Sequence, residues 1–117
     1  MGIDLKGLAT SYREIRNEFL ATATLRFERD LALFSRLAPD ALPCLGRLLA
    51  PGLRVGVYDA VGLVWAEADR YGQLLTFTTP TNLRRMEVPA DIREGNRAVL
   101  AFLLALPEDA RIVLVWC

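Results

Sequence analysis

Histidine is absent from this chain of 117 residues. That excludes Ser-His-Asp and Cys-His nucleophilic sites, zinc held by imidazole, and a neutral-pH switch built on imidazole. Cysteine is nearly absent: Cys44 and Cys117 are too few for a four-thiolate metal site. With no charged-then-apolar leader at the start, both read as free thiols of a cytoplasmic protein. Cys44, between apolar neighbours, reads as a buried and inert thiol, and Cys117 as an oxidisable terminal one. Lysine is reduced to Lys6, so a nuclease needing two acids and a lysine finds no partner for its acids. Neither sign of charge is in excess, with 14 basic and 14 acidic residues. The basic stripe that nucleic-acid binding requires is therefore missing. No apolar run approaches the roughly 18–20 residues of a membrane span. The longest, Ala98 to Leu106, fits a buried helix.

What is present describes a globular domain. Apolar residues make up 53% of the chain, enough for one core, and no linker, repeat or low-complexity stretch divides it. The expectation is one domain over residues 1–117, with a long N-terminal helix over about 3–37 and an α/β core over about 40–117. Leu8, Tyr12, Ile15, Phe19, Ala23, Phe27, Leu31, Phe34 and Ala38 recur at steps of three and four, the mark of one helix face. Residues Phe19 to Glu28 also alternate apolar with polar and carry two threonines, which suits a strand. Pro39 ends the segment in either case. Asp40 is placed to cap a short helix over Ala41–Ala50, stopped by Pro51-Gly52.

The middle third alternates with period two. Strands are predicted from Leu53 to Val57, from Leu63 to Ala68, from Gln73 to Thr78 and, as a short edge strand carrying Arg84 and Arg85, from Leu83 to Val88. Asp59-Ala60-Val61-Gly62 and Asp69-Arg70-Tyr71-Gly72 read as turns, the second needing the positive φ of Gly72. Asp91 with Glu94 predicts a capped helix running to about Leu106. Arg111 to Cys117 predicts a strand covered on both faces. The fold class expected is α+β, in two layers. It has N-terminal helices, a mostly antiparallel sheet of four to five strands, and one late helix followed by a C-terminal strand.

No catalytic residue, metal ligand or cofactor is assigned. Glu67 and Asp69 share a strand face but lack a third ligand, and turn chemistry accounts for Asp69. The segment Arg93-Glu94-Gly95-Asn96-Arg97-Ala98 opens a helix after a strand, where backbone N–H groups hold phosphates. Arg93, Gly95, Asn96 and Arg97 are thus candidate anion-binding residues. The strand-loop-helix-strand order here resembles the pyrophosphate loop of acetyl-CoA-dependent N-acetyltransferases, without that loop's glycine-rich spacing. The resemblance implies acyl transfer as one reading of function. Trp65, Trp116, Phe77 and Tyr58 fall on strands, where they either pack the core or line a small-molecule cavity. Leu8, Tyr12, Ile15, Phe19 and Phe27 form a bulky stripe that predicts an interface. The leading expectation is a non-enzymatic interaction or regulatory module, a homodimer or partner-binding protein working through the N-terminal helix. A domain binding a small anionic molecule comes next.

Overall fold

Strand β1 (Leu5–Arg13) and strand β2 (Glu18–Phe27) stand where the periodicity predicts one helix over 3–37. They were traced in a computed structural model that describes residues 5–13, 18–38, 40–41 and 54–116. The two strands pair antiparallel from Leu5↔Phe27 to Arg13↔Glu18. Among the described residues, helix α1 (Leu31–Leu37) alone survives of the expected helix.

The physical reason lies in the spacing itself. A step of four is also twice a step of two, so Phe19, Ala23 and Phe27 mark one side of a strand as well as one side of a helix. The residues between decide: Leu25 continues the period of two on the side of Phe27, Ala21 packs against the opposite face, and Thr22 and Thr24 lose side-chain freedom in a helix. A bulge sits where Ala9↔Ala23 is followed by Thr10↔Ala21. The extra residue interrupts the alternation and bends the pair.

Asp30 then caps α1, its carboxylate accepting from the Leu33 N–H at 3.3 Å. Leu33 and Leu37 are buried, and Ala38, before Pro39, takes the extended ψ of 150° that a following proline favours. The short helix expected over Ala41–Ala50 lies, beyond Ala41, outside the described residues.

Strands β3 (Arg54–Asp59) and β4 (Gly62–Ala66) form the hairpin expected there, turning through Ala60-Val61. The next expected strand contributes only β5 (Phe77–Thr78) to the sheet. No strand forms over Leu83–Val88; helix α2 (Pro80–Arg84) precedes a loop there. Thr79 caps α2 through the Asn82 N–H, and Pro80 occupies its first turn, a pairing that starts helices and outweighs the strand pattern of the following residues. Helix α3 (Glu94–Leu104) and strand β6 (Arg111–Trp116) close the fold in the expected order.

Among the described residues the sheet is mixed and has six strands, in the order β4-β3-β2-β1-β6-β5. The expected four to five strands omitted the N-terminal hairpin. Only β2 and β3 run parallel, over Glu18–Leu20 against Arg54–Gly56. β6 lies between β1 and β5, so the C-terminal strand pairs within its own chain. Ile112, Val113 and Leu114 are all buried, because both faces of β6 are covered.

One face carries α1, α2 and α3 over Phe27, Ile112 and Leu114, with Leu100 and Leu103 filling the layer between. Gly7 lets α3 approach β1 closely: a Cβ there would lie 3.0 Å from Leu103 Cδ1. The other face holds a smaller core of Leu8, Val55, Leu75, Phe77 and Val113. Val55 in β3 and Phe77 in β5 lie near opposite ends of the strand order, so the sheet curls to bring them into one cluster. The segment 67–75 ties the ends together, through Leu75 N–H to Glu67 O at 2.9 Å and an Ala68↔Leu74 bridge. Among the described residues no helix is long and apolar enough to cross a membrane.

Candidate functional site

Between α1 and the loop after β4 lies a cleft of about 630 Å³. Its floor is Trp116, at the end of β6, and Phe34, whose ring meets the indole edge-on at 5.6 Å. One wall comes from Arg29, Asp30, Leu31, Ser35 and Ala38, and the other from Asp69, Tyr71 and Gln73. Leu31 and Tyr71 stand at its rim, 87% and 55% exposed. Trp116 Nε1 is a buried donor with no hydrogen-bond partner.

Both walls are held by carboxylates acting on backbone amides. Asp69 Oδ1 accepts from the N–H groups of Tyr71 at 2.8 Å and Gln73 at 3.0 Å. The loop closes through Asp69 N–H to Gln73 O, and Gly72 takes φ +82°, the expected left-handed turn residue. Arg70 N–H reaches Trp116 O and joins the loop to the floor. The Asp69 carboxylate is thus organised for a turn. Among the described residues no three Cys, Asp or Glu side chains gather as metal ligands.

Asp30 works on two helices at once. Its Oδ1 caps α1, while Oδ2 accepts from the Arg93 N–H at 2.8 Å and from Asn96 Nδ2 at 3.4 Å, at the start of α3. Burial raises its pKa, but the backbone bonds from Arg93 and Leu33, the Asn96 amide and the Arg93 charge outweigh that and hold it below 3.8. Asn96 is fully buried, and its amide accepts from Glu28 N–H at 2.8 Å and donates to Glu28 O at 2.9 Å, as a neighbouring strand does.

These contacts place the four candidate anion-binding residues. Arg93 Nε donates to Arg29 O, Arg97 donates to Ala90 O, and a Cβ on Gly95 would lie 3.3 Å from Glu28 Oε2. The start of α3 therefore faces the chain's own Asp30 and Glu28 carboxylates, and none of the four lines the cleft. The helix begins at Glu94 and not at Asp91, and its N-cap residue, Arg93, makes no side-chain capping bond; the Arg93 N–H donates to Asp30 instead.

The predicted interface stripe is divided. Leu8 enters one core and Phe27 the other, Tyr12 and Phe19 are cross-strand partners in β1 and β2, and Ile15 lies outside the described residues. With no continuous helix there is no continuous stripe. Of the four strand aromatics, Trp116 enters the cleft, Phe77 packs beneath Arg111, and Trp65 and Tyr58 are exposed on the β3–β4 hairpin. Cys44 and Cys117 lie outside the described residues. Sequence reasoning missed Asp30 and Tyr71 as wall residues. Asp30 before an apolar helical run is a cap signal, hidden by the longer helix drawn through it.

No family model, curated protein or solved structure matches the chain.

Proposed function

We infer that this is a non-catalytic binding domain whose cleft takes a small, largely apolar molecule with a flat ring. The observation that carries the reading is a cleft of about 630 Å³ floored by Trp116 and Phe34, within the roughly 300–1,000 Å³ of small-molecule sites. A ring entering it stacks on aromatic surface and covers Leu31 and Tyr71, which otherwise face water. Arg29, Gln73 and Ser35 supply the polar groups that fix orientation. A cytoplasmic setting is part of the proposal, as is a regulatory role for the bound state.

The anionic ligand of the earlier expectation is not favoured, because Asp30 and Asp69 both line this cleft and Arg93 and Arg97 do not. Acyl transfer is not favoured either, since the start of α3 faces two carboxylates of the same chain.

The experiment is a fluorescence titration with uncharged aromatic probes, in a Trp65→Phe background that isolates Trp116. Saturable quenching of Trp116, with affinity lowered at least tenfold by Phe34→Ala, is the expected result. A folded protein that binds no aromatic probe, or binds equally well after Phe34→Ala, overturns the reading.

A further inference from the structure

The β3–β4 hairpin exposes apolar side chains on both faces of an edge strand. Tyr58 is 67% exposed, Val61 93%, Leu63 40%, Val64 48% and Trp65 37%. Among the described residues β4 pairs with β3 alone and ends the strand order, and no charged residue occurs from Gly62 through Ala66. Edge strands are ordinarily protected by charge, proline or a bulge. This one carries none of these.

The register shows which backbone groups face outward. A two-residue hairpin loop closes on a hydrogen-bonded pair, here Asp59↔Gly62, so Val57↔Val64 is the next such pair. Leu63 and Trp65, alternating with these, direct their N–H and C=O groups away from β3. The next residue in that outward row, Glu67, supports the assignment, because its carbonyl accepts from Leu75 N–H on that edge.

From this the geometry points to a second copy of the same chain as the occupant, paired antiparallel along β4 about a two-fold axis at Val64. Leu63 of one copy then faces Trp65 of the other and exchanges both backbone bonds with it, twice over by symmetry. The two Val64 residues meet as the close, non-hydrogen-bonded pair between. One sheet runs through both molecules, and no like charges oppose one another along Gly62–Ala66, where an acidic or basic strand would repel its own copy. A seam this short falls at the small end of specific interfaces, so the dimer is a weak one.

The register gives a test that does not depend on tolerance of a charged residue. In a Cys44→Ser, Cys117→Ser background, Val64→Cys places two thiols in a non-hydrogen-bonded pair, whose Cα separation of about 4.5 Å lies within disulfide reach. Mild oxidation should yield a covalent dimer from Val64→Cys and little from Leu63→Cys, whose partner is Trp65. In sedimentation velocity, Val64→Glu and Val64→Lys should each raise the dimer dissociation constant at least tenfold, and mixing the two should restore association. A wild-type protein monomeric at every concentration up to the millimolar range overturns the proposal. So does a dimer that cross-links equally through Leu63→Cys or ignores both charged variants while they remain folded.

Discussion

Replacing Asn96 probes the joint on which one wall of the cleft rests. Asn96→Ala removes two bonds with the Glu28 backbone, at 2.8 and 2.9 Å, and a longer one to Asp30 at 3.4 Å. Two such bonds contribute about 2 kcal/mol, and more where the abandoned Glu28 groups stay out of water. Alanine offsets roughly 0.6 kcal/mol of that through its higher helix propensity. The net expectation is a loss of about 2 kcal/mol, a fall in Tm of about 8 °C for a domain of this size. Urea unfolding followed by tryptophan fluorescence measures it directly.

Asn96→Asp separates the hydrogen bonds from mere packing. The new carboxylate still accepts from Glu28 N–H but donates nothing to Glu28 O, and it lies where the amide now sits, 3.4 Å from ionised Asp30. At that separation two like charges repel by several kcal/mol at an effective dielectric of about 20, so the new group's pKa rises. Asn96→Asp is therefore less stable than Asn96→Ala at pH 7. The order should reverse as the pH falls through that raised pKa, where the protonated carboxyl donates again. An Asn96→Ala protein within about 0.5 kcal/mol of wild type, or an Asn96→Asp protein without this pH dependence, refutes the role assigned to Asn96.

Further expectations concern the same wall and its supports. The folded pKa of Asp30 is below its usual 3.8, so its contribution is fully present above about 4 and is lost as the pH falls through the folded value. Asp30→Asn should make acid unfolding shallower below about pH 4 and lower stability by roughly 1 kcal/mol at pH 7, read from urea midpoints across pH; an unchanged acid limb excludes the linkage. Gly72→Ala, at φ +82°, should cost about 1–2 kcal/mol and weaken probe binding to the cleft, and an undisturbed titration would detach this loop from the site. Arg84 donates to Leu104 O at 2.7 and 3.2 Å at the end of α3. Arg84→Ala should cost about 1 kcal/mol in thermal or urea unfolding, while Glu108→Ala, across a 3.9 Å exposed pair, should change little.

How far the fold was legible depends on whether a local pattern had one reading or two. Arg111–Trp116 had one: an unbroken apolar run read as a strand covered on both faces, and Ile112, Val113 and Leu114 are buried accordingly. The hairpin loop at Asp69–Gly72 had one as well, since Asp and Gly there have specific turn chemistry that the structure uses. Residues 5–27 had two, because even spacing serves helix and strand alike. The choice was made by long-range pairing, with β6 supplying from residues 111–116 the partner for β1. No window of the N-terminal sequence contains that partner.

The cleft was less legible than the fold for a related reason. Its residues come from 29–38, 69–73 and 116, three segments that no spacing rule connects. Only Trp116 was weighed beforehand as lining a cavity, while Asp69 was read as a turn residue and Phe34 as part of a helix face. What joins them is a set of side chain–backbone bonds over long separations, in which Asp30 and Asn96 hold α1 against the start of α3 while Asp69 shapes the opposite wall. The same contacts explain why the start of α3 looked like an anion site. A helix N-terminus attracts negative charge wherever it comes from, and here the anion is Asp30 of the same chain. A sequence motif reports the demand for a carboxylate at that place; the fold determines which carboxylate meets it. The polar residues at 93–97 therefore belong to the support of the cleft, and its contents must be sought through Trp116, Phe34 and Tyr71.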